Sequence, residues 1–243
     1  MTTALSVAFS PDGTLLCGGY ESALRLFAVA RPGRECTLLP TWDRGTRSGL
    51  RGIVSCLAFS PCSSLLCAGA TDGAAALFDI VSGAPIALLH GGHAGGIMHA
   101  RFSPDGNYLY TGARRDDAIV CWDVRATGGV VYALRRPGDT NQRLGFDIEP
   151  CGRHLLAGGT DGAVHVFDLA TGACAAEFKA VAAGTAAAVG WVEHHPFAPL
   201  AATGSGSRTL LAFAEGESEQ HGLDGELRVW RFGDSAAAPA DGF

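Results

Sequence analysis

Apolar residues in this chain fall in short runs, cut at regular places by proline, glycine and aspartate. Ser6 to Ser10, Ser55 to Ser60 and Met98 to Ser103 read as first strands, each stopped by a proline that supplies no ladder donor. Pro-Asp-Gly after two of them makes a tight turn, proline presetting φ and glycine accepting φ > 0. A second strand follows at Leu15-Leu16-Cys17, Leu65-Leu66-Cys67, Tyr108-Leu109-Tyr110 and Leu155-Leu156-Ala157. A third ends at Phe78-Asp79, Trp122-Asp123 or Phe167-Asp168, and a fourth runs over Pro85 to Leu89, Val130 to Leu134 and Cys174 to Phe178. Each unit is thus an antiparallel sheet of four strands.

The units repeat. Prolines 11, 61, 104, 150 and 196 are spaced by 50, 43, 46 and 46 residues, and an aromatic follows each: Phe27, Phe78, Trp122, Phe167 and, after an insertion, Trp230. Periods of this length with a Phe-Ser-Pro-Asp-Gly turn and a Trp-Asp ending mark the blades of an all-β, WD-type β-propeller. About five four-stranded blades are expected, over residues 4–40, 50–90, 94–135, 140–180 and 185–232. The last is expected to be incomplete, with no fourth strand after Trp230 and a disordered tail at 233–243. No spare strand is available at either end to close a ring by pairing, so the chain is expected to be the C-terminal part of a larger, seven-bladed one.

Composition changes this picture little. With 47% apolar and 17% charged residues, the chain suits sheets buried on both faces. No apolar run is long enough to span a bilayer, and no signal peptide is expected at Met1. The eight cysteines include no Cys-x-x-Cys pair. Most fall in apolar strands and read as small buried hydrophobes of a reducing, cytosolic or nuclear compartment.

The net charge of −6 argues against non-specific nucleic-acid binding, but charge is unevenly spread. Acidic residues crowd the last unit (Glu215, Glu217, Glu219, Asp224, Glu226). Basic ones concentrate earlier: Arg25, Arg31, Arg34, Arg44, Arg47 and Arg51, then Arg114, Arg115, Arg125, Arg135, Arg136 and Arg143. For any single arginine a solvated surface is the expected setting.

Structural residues must be set apart first. Asp72, Asp116, Asp161 and Asp224 each stand six residues before Phe78, Trp122, Phe167 and Trp230, with Glu21 in that place before Phe27; these close turns. His93, Thr111, Asp116 and Trp122 match the buried, hydrogen-bonded tetrad of WD blades, so His93 with Asp116 reads as scaffold rather than catalytic dyad. His90, His194 and His195 read as loop or strand-end residues.

The third unit departs from its siblings. Ala68 to Asp72 and Ala157 to Asp161 are steps of four residues, but Thr111 to Asp116 is five. The extra residue lies in the loop that carries Arg114 and Arg115. In an up-down-up-down blade, that loop and the link to the next blade emerge on one face, and the link holds Thr140, Asn141, Gln142 and Arg143. Guanidinium forks match phosphates and stack on bases, and Asn and Gln can read base edges. These six residues are the candidate RNA-binding set, suited to an unpaired loop whose bases are splayed.

Longer stretches carry a resemblance. Ala30-Arg31-Pro32-Gly33-Arg34, Leu88-Leu89-His90-Gly91-Gly92-His93, Gly112-Ala113-Arg114-Arg115-Asp116, Cys121-Trp122-Asp123-Val124-Arg125 and Thr140-Asn141-Gln142-Arg143 with Phe146-Asp147 are similar to the C-terminal portion of the telomerase Cajal body protein family. That resemblance implies a WD-repeat subunit of telomerase and of small Cajal-body ribonucleoproteins. It would bind the CAB-box loop of H/ACA-type RNAs and direct the particle to Cajal bodies, within the nucleus and in part the cytoplasm. Implied partners are such RNAs, dyskerin-containing RNP proteins and a folding chaperonin, with no membrane.

Trp122-Asp123-Val124-Arg125 also fits the Trp-Asp-x-Arg pattern of substrate receptors of cullin-RING ubiquitin ligases, and a generic protein-interaction scaffold is the plainest alternative. No nucleophile with a base, paired carboxylates or phosphate loop is evident, so no enzyme, metal or cofactor is expected.

Overall fold

The computed structural model describes residues 3–31, 33, 35–181, 187–206, 225–232 and 238–239. Arg34, Asp224, the acidic residues Glu215, Glu217 and Glu219, and most of the 233–243 tail lie outside them. The chain divides into two compact units, Met1–Arg143 and Leu144–Phe243.

The first unit holds three four-stranded antiparallel sheets. The first comprises β1 (Ser6–Phe9), β2 (Leu15–Tyr20), β3 (Ala23–Ala28) and β4 (Thr37–Pro40). A small hairpin follows, β5 (Trp42–Asp43) with β6 (Ser48–Gly49). The second sheet is β7 (Val54–Phe59), β8 (Leu65–Ala70), β9 (Ala75–Asp79) and β10 (Pro85–Leu89). The third is β11 (Ile97–Phe102), β12 (Tyr108–Ala113), β13 (Ala118–Asp123) and β14 (Val130–Arg135).

Burial explains the residue pattern. The second strand β8 is buried along most of its length, so it is a continuous small-apolar run, whereas β7 alternates buried and half-buried positions. Cys17, Leu24 and Leu39 of the first sheet pack on Leu66, Ala76 and Phe78 of the second. Cys67, Leu77 and Leu89 then pack on Ile97, Leu109, Val120 and Trp122 of the third. At the inner strands, the Ser6 hydroxyl donates to the Val54 carbonyl at 2.8 Å, and that of Ser55 donates to Ile97.

The strand-ending turns have a common construction. Ser10 Oγ accepts from the Leu15 amide at 2.9 Å while donating to Asp12, and Gly13 takes φ +70°. Ser103, Asp105 and Gly106 repeat this, with Tyr108 donating at 2.9 Å.

The second unit holds β15 (Phe146–Ile148), β16 (His154–Gly158), β17 (Ala163–Asp168) and β18 (Cys174–Lys179) in one sheet. The other contains β19 (Ala188–His194), β20 (Leu200–Gly206), β21 (Glu226–Arg231) and β22 (Ala238–Pro239). The strand β22 corrects the expectation of no fourth strand after Trp230. It is two residues long, pairing Pro239 with Trp230 and Ala238 with Arg231, too short to show a hydrophobic pattern. Its proline sits on an edge strand, where a missing donor is tolerated. Trp230 Nε1 donates to the buried Thr203 Oγ1 at 2.9 Å.

The cysteines also differ from expectation. Cys17, Cys56, Cys67 and Cys121 are buried, but Cys36, Cys62, Cys151 and Cys174 are exposed. Two of the exposed four occupy turns, where a small polar side chain does as well as an apolar one.

Candidate nucleic-acid interface

Sheet register locates the slip in the third sheet. Leu66 pairs with Phe78 and Leu109 with Trp122, so the paired positions stand 12 and 13 residues apart. In the second sheet the turn is relaxed by Gly73 at φ +87°, just after Asp72. In the third, the left-handed residue comes before the aspartate, and it is Arg115 at φ +52°. A side chain there is held in a sparsely populated backbone region.

The surroundings fix that loop on both sides. The Arg114 amide donates to the Gly96 carbonyl at 2.9 Å, and the Arg115 amide to the Thr140 carbonyl at 3.0 Å. A Cβ at Gly95 would overlap the Arg114 carbonyl, so only glycine lets the link seat against the loop. Arg114 Nε reaches Met98 Sδ at 3.1 Å, Arg115 Nε donates to Asn141 Oδ1 at 3.0 Å, and Arg143 Nε donates to the Met98 carbonyl at 2.9 Å. Thr140 turns the link by accepting from the Gln142 amide at 3.1 Å. All six candidate residues are therefore neighbours on one end of the third sheet. Arg114, Arg115, Asn141 and Arg143 are exposed there, and Thr140 and Gln142 half-buried. Among the described residues neither Arg114 nor Arg115 forms an ion pair.

Beneath the loop lies the expected tetrad. His93 Nδ1 is 2.7 Å from Asp116 Oδ2, its Nε2 is 2.9 Å from Thr111 Oγ1, and Trp122 Nε1 donates to the same hydroxyl at 2.8 Å. Asp116 Oδ1 also accepts from the Ala118 amide at 2.9 Å. The His93 side chain is fully buried. Asp72 and Asp161 close their turns alike, accepting from Ala74 and Ala163.

Not every arginine of the basic run faces solvent. Arg136 is 5% exposed, and burial draws its pKa down to about 10, opposed by the nearby Asp116. Arg135 pairs with Asp117 at 2.7 Å. Arg125 lies at the opposite end of the sheet, clamped on Asp123 at 3.0 and 2.9 Å and stacked 5.7 Å over Tyr108.

His194 ends β19 beside Asp147, and His195 Nδ1 accepts from the Phe197 and Ala198 amides. No group of three or more His, Cys, Asp or Glu among the described residues could hold a metal ion.

Met98, which joins Arg114 to Arg143, was missed because a strand methionine carries no sequence signal beyond apolarity. The hairpin of β5 and β6 was missed because two-residue polar strands show no alternation.

These blades define a class. A family model described as "WD domain, G-beta repeat" matches residues 44–79 and 83–123. A chain in a crystal structure of the mitotic checkpoint complex superposes with a TM-score of 0.71 at 20% identity, covering 99% of this chain and 64% of its own. The chain is a WD-repeat protein with the β-propeller fold.

Its relatives are more particular. The mouse protein named Telomerase Cajal body protein 1 is 40% identical over 233 residues, 94% of this chain and 42% of that protein. The human protein of the same name is 40% identical over 227 residues, 92% of this chain and 41% of that one. The chain is thus a relative of the telomerase Cajal body proteins, as its motifs indicated, and it spans about two fifths of their length.

Proposed function

We propose that this chain is the RNA-reading part of a non-catalytic WD scaffold. It binds the CAB-box loop of H/ACA-type RNAs, including telomerase and small Cajal-body RNAs, and carries the particle to Cajal bodies. The likeness to proteins so named supports the assignment. The single observation that carries the RNA reading is the joining of Arg114 and Arg115 to Thr140–Arg143 through Arg115–Thr140 and Arg115–Asn141. Arginine forks take phosphate bidentately, while the exposed Asn141 and half-buried Gln142 carry amides of the kind that pair with unpaired base edges. Asn141 already orders Arg115, so the set is arranged before ligand arrives. Binding energy is the whole mechanism, with dyskerin-containing RNP proteins as neighbours, a chaperonin for folding, and a nuclear location with some cytoplasmic protein.

The test is binding of H/ACA hairpins with wild-type and base-substituted terminal loops across a salt series. The expected result is a preference for the wild-type loop that Arg114→Ala/Arg115→Ala removes, with a flatter salt dependence. Equal affinity for both loops would sink the reading.

A further inference from the structure

The link between the first two sheets folds back as the β5–β6 hairpin, and its tip bears Arg44 and Arg47. The hairpin is built rather than loose. Thr41 and Leu50 close its base, the amide of Leu50 donating to Thr41 at 2.7 Å and the hydroxyl of Thr41 donating to Leu50 at 3.1 Å. Asp43 spends its carboxylate on the turn, accepting from the Gly45 amide and the Thr46 hydroxyl, each at 2.8 Å. Arg47 is held at φ +53°. Arg51 follows, its guanidinium 5.9 Å over the Trp42 ring.

Trp42, Arg44, Arg47 and Arg51, with Glu21, Ser22 and Gly52, line an open cavity of about 900 Å³. Three guanidinium groups face a single carboxylate, Glu21, in that lining. Asp72 lies beyond it with both oxygens engaged, by the Arg51 and Ala74 amides at 3.1 Å. None of the three arginines is ion-paired among the described residues.

Backbone contacts join this basket to the Arg114–Arg115 loop. Glu21 bridges Ile53, and the Thr71 amide donates to the Ile53 carbonyl at 3.0 Å. Gly96 presses on Thr71, where a Cβ would stand 2.9 Å from the Thr71 Cα, and the Gly96 carbonyl receives the Arg114 amide. Gly73, Gly95 and Gly96 make the close backbone contacts of this seam, Gly73 buried and the Thr71 and Asp72 side chains exposed beside it.

We infer that the basket of Trp42, Arg44, Arg47 and Arg51 is a second phosphate-binding station on the same face. There the sugar-phosphate strand that leaves the Arg114–Arg115 loop is gripped, across the seam that joins the two clusters. The inference rests on the RNA reading of the first cluster. Forked cations beside an indole suit a phosphodiester chain with stacked bases better than a carboxylate-bearing peptide.

The test uses the intact protein and two labelled hairpins with the same loop, one with a stem of a few pairs and one extended by ten or more nucleotides. Arg44→Ala/Arg47→Ala/Arg51→Ala should weaken the extended hairpin about tenfold. It should also lower the slope of log affinity against log salt by about two, as loss of three contacts to a single strand requires. The short hairpin and the loop preference should not change. Glu21→Gln, which removes the opposing charge, should tighten the extended hairpin and so guards against a merely damaged fold. Wild-type affinity and slope in the triple variant would overturn the inference. So would equal weakening of both hairpins, or displacement of the extended RNA by polyglutamate at matched charge. If Arg114→Ala/Arg115→Ala left loop preference intact while the triple variant still lost the extended RNA, the reader proposal would fail and the basket would stand.

Discussion

The second and third sheets are built on one plan, and they hold their turn aspartates differently. Asp72 closes its hairpin and then accepts from the backbone amide of Arg51, both bonds exposed. Asp116 closes the same turn but gives its other oxygen to a buried histidine, which continues through Thr111 to Trp122. The second sheet has Ala68 and Phe78 at those last two places, and phenylalanine cannot donate. A link that is pinned only by backbone can vary in sequence. One pinned by a four-residue network fixes the height of the loop above it, and that loop is the one carrying Arg114 and Arg115. Rigid support lies under the loop with the strained arginine.

That contrast can be broken most strongly at the network. His93→Ala leaves Asp116 and Thr111 without their partner in a buried site and should cost about 2–3 kcal/mol in urea unfolding. Asp72→Ala loses exposed bonds and should cost about 1 kcal/mol or less. Equal losses would mean that the two sheets are held alike after all.

A smaller effect is expected at the two left-handed positions. Gly73→Ala places a Cβ 3.2 Å from the His93 carbonyl at φ +87° and should destabilise by about 1 kcal/mol. Arg115→Gly relieves a strained residue, so stability should hold or rise by up to about 1 kcal/mol while RNA affinity falls. A stability loss in Arg115→Gly would show that the side chain holds the loop rather than serving a ligand.

The mildest comparison concerns thiols in equivalent turns of the second and fourth sheets. Hydrogen bonds from the Ser60 and Ser64 hydroxyls lower the Cys62 pKa to about 7, whereas the Glu149 carboxylate raises that of Cys151. Iodoacetamide labelling of Cys62 should rise through a midpoint near pH 7, the thiolate being the nucleophile. Cys151 should label only at higher pH, and matching profiles from mass spectrometry would refute the assignment.

Much of this was legible in the chain, for definite reasons. Buried middle strands such as Leu65–Ala70 write themselves as apolar runs, and turns as Ser-Pro-Asp-Gly. The five-residue step from Thr111 to Asp116 correctly placed the extra residue, and strand parity correctly brought Thr140–Arg143 beside it. What could not be read depended on contacts between distant segments. Arg136 looks like its exposed neighbour Arg135, yet one is buried and the other is not. Trp42 stands in a hairpin with no apolar alternation, and β22 is two residues long. The Thr203–Trp230 bond spans a long insertion that hides the step between them.

The amides of Arg114 and Arg115 are tied to Gly96 before the third sheet and to Thr140 after it. A ligand that grips those arginines thus also holds the links on either side of the sheet. Occupancy and assembly are then two sides of one equilibrium, and saturation at a hundred times Kd would raise folded stability by about 2.7 kcal/mol. Slowed deuterium uptake at those two amides would be its most local record.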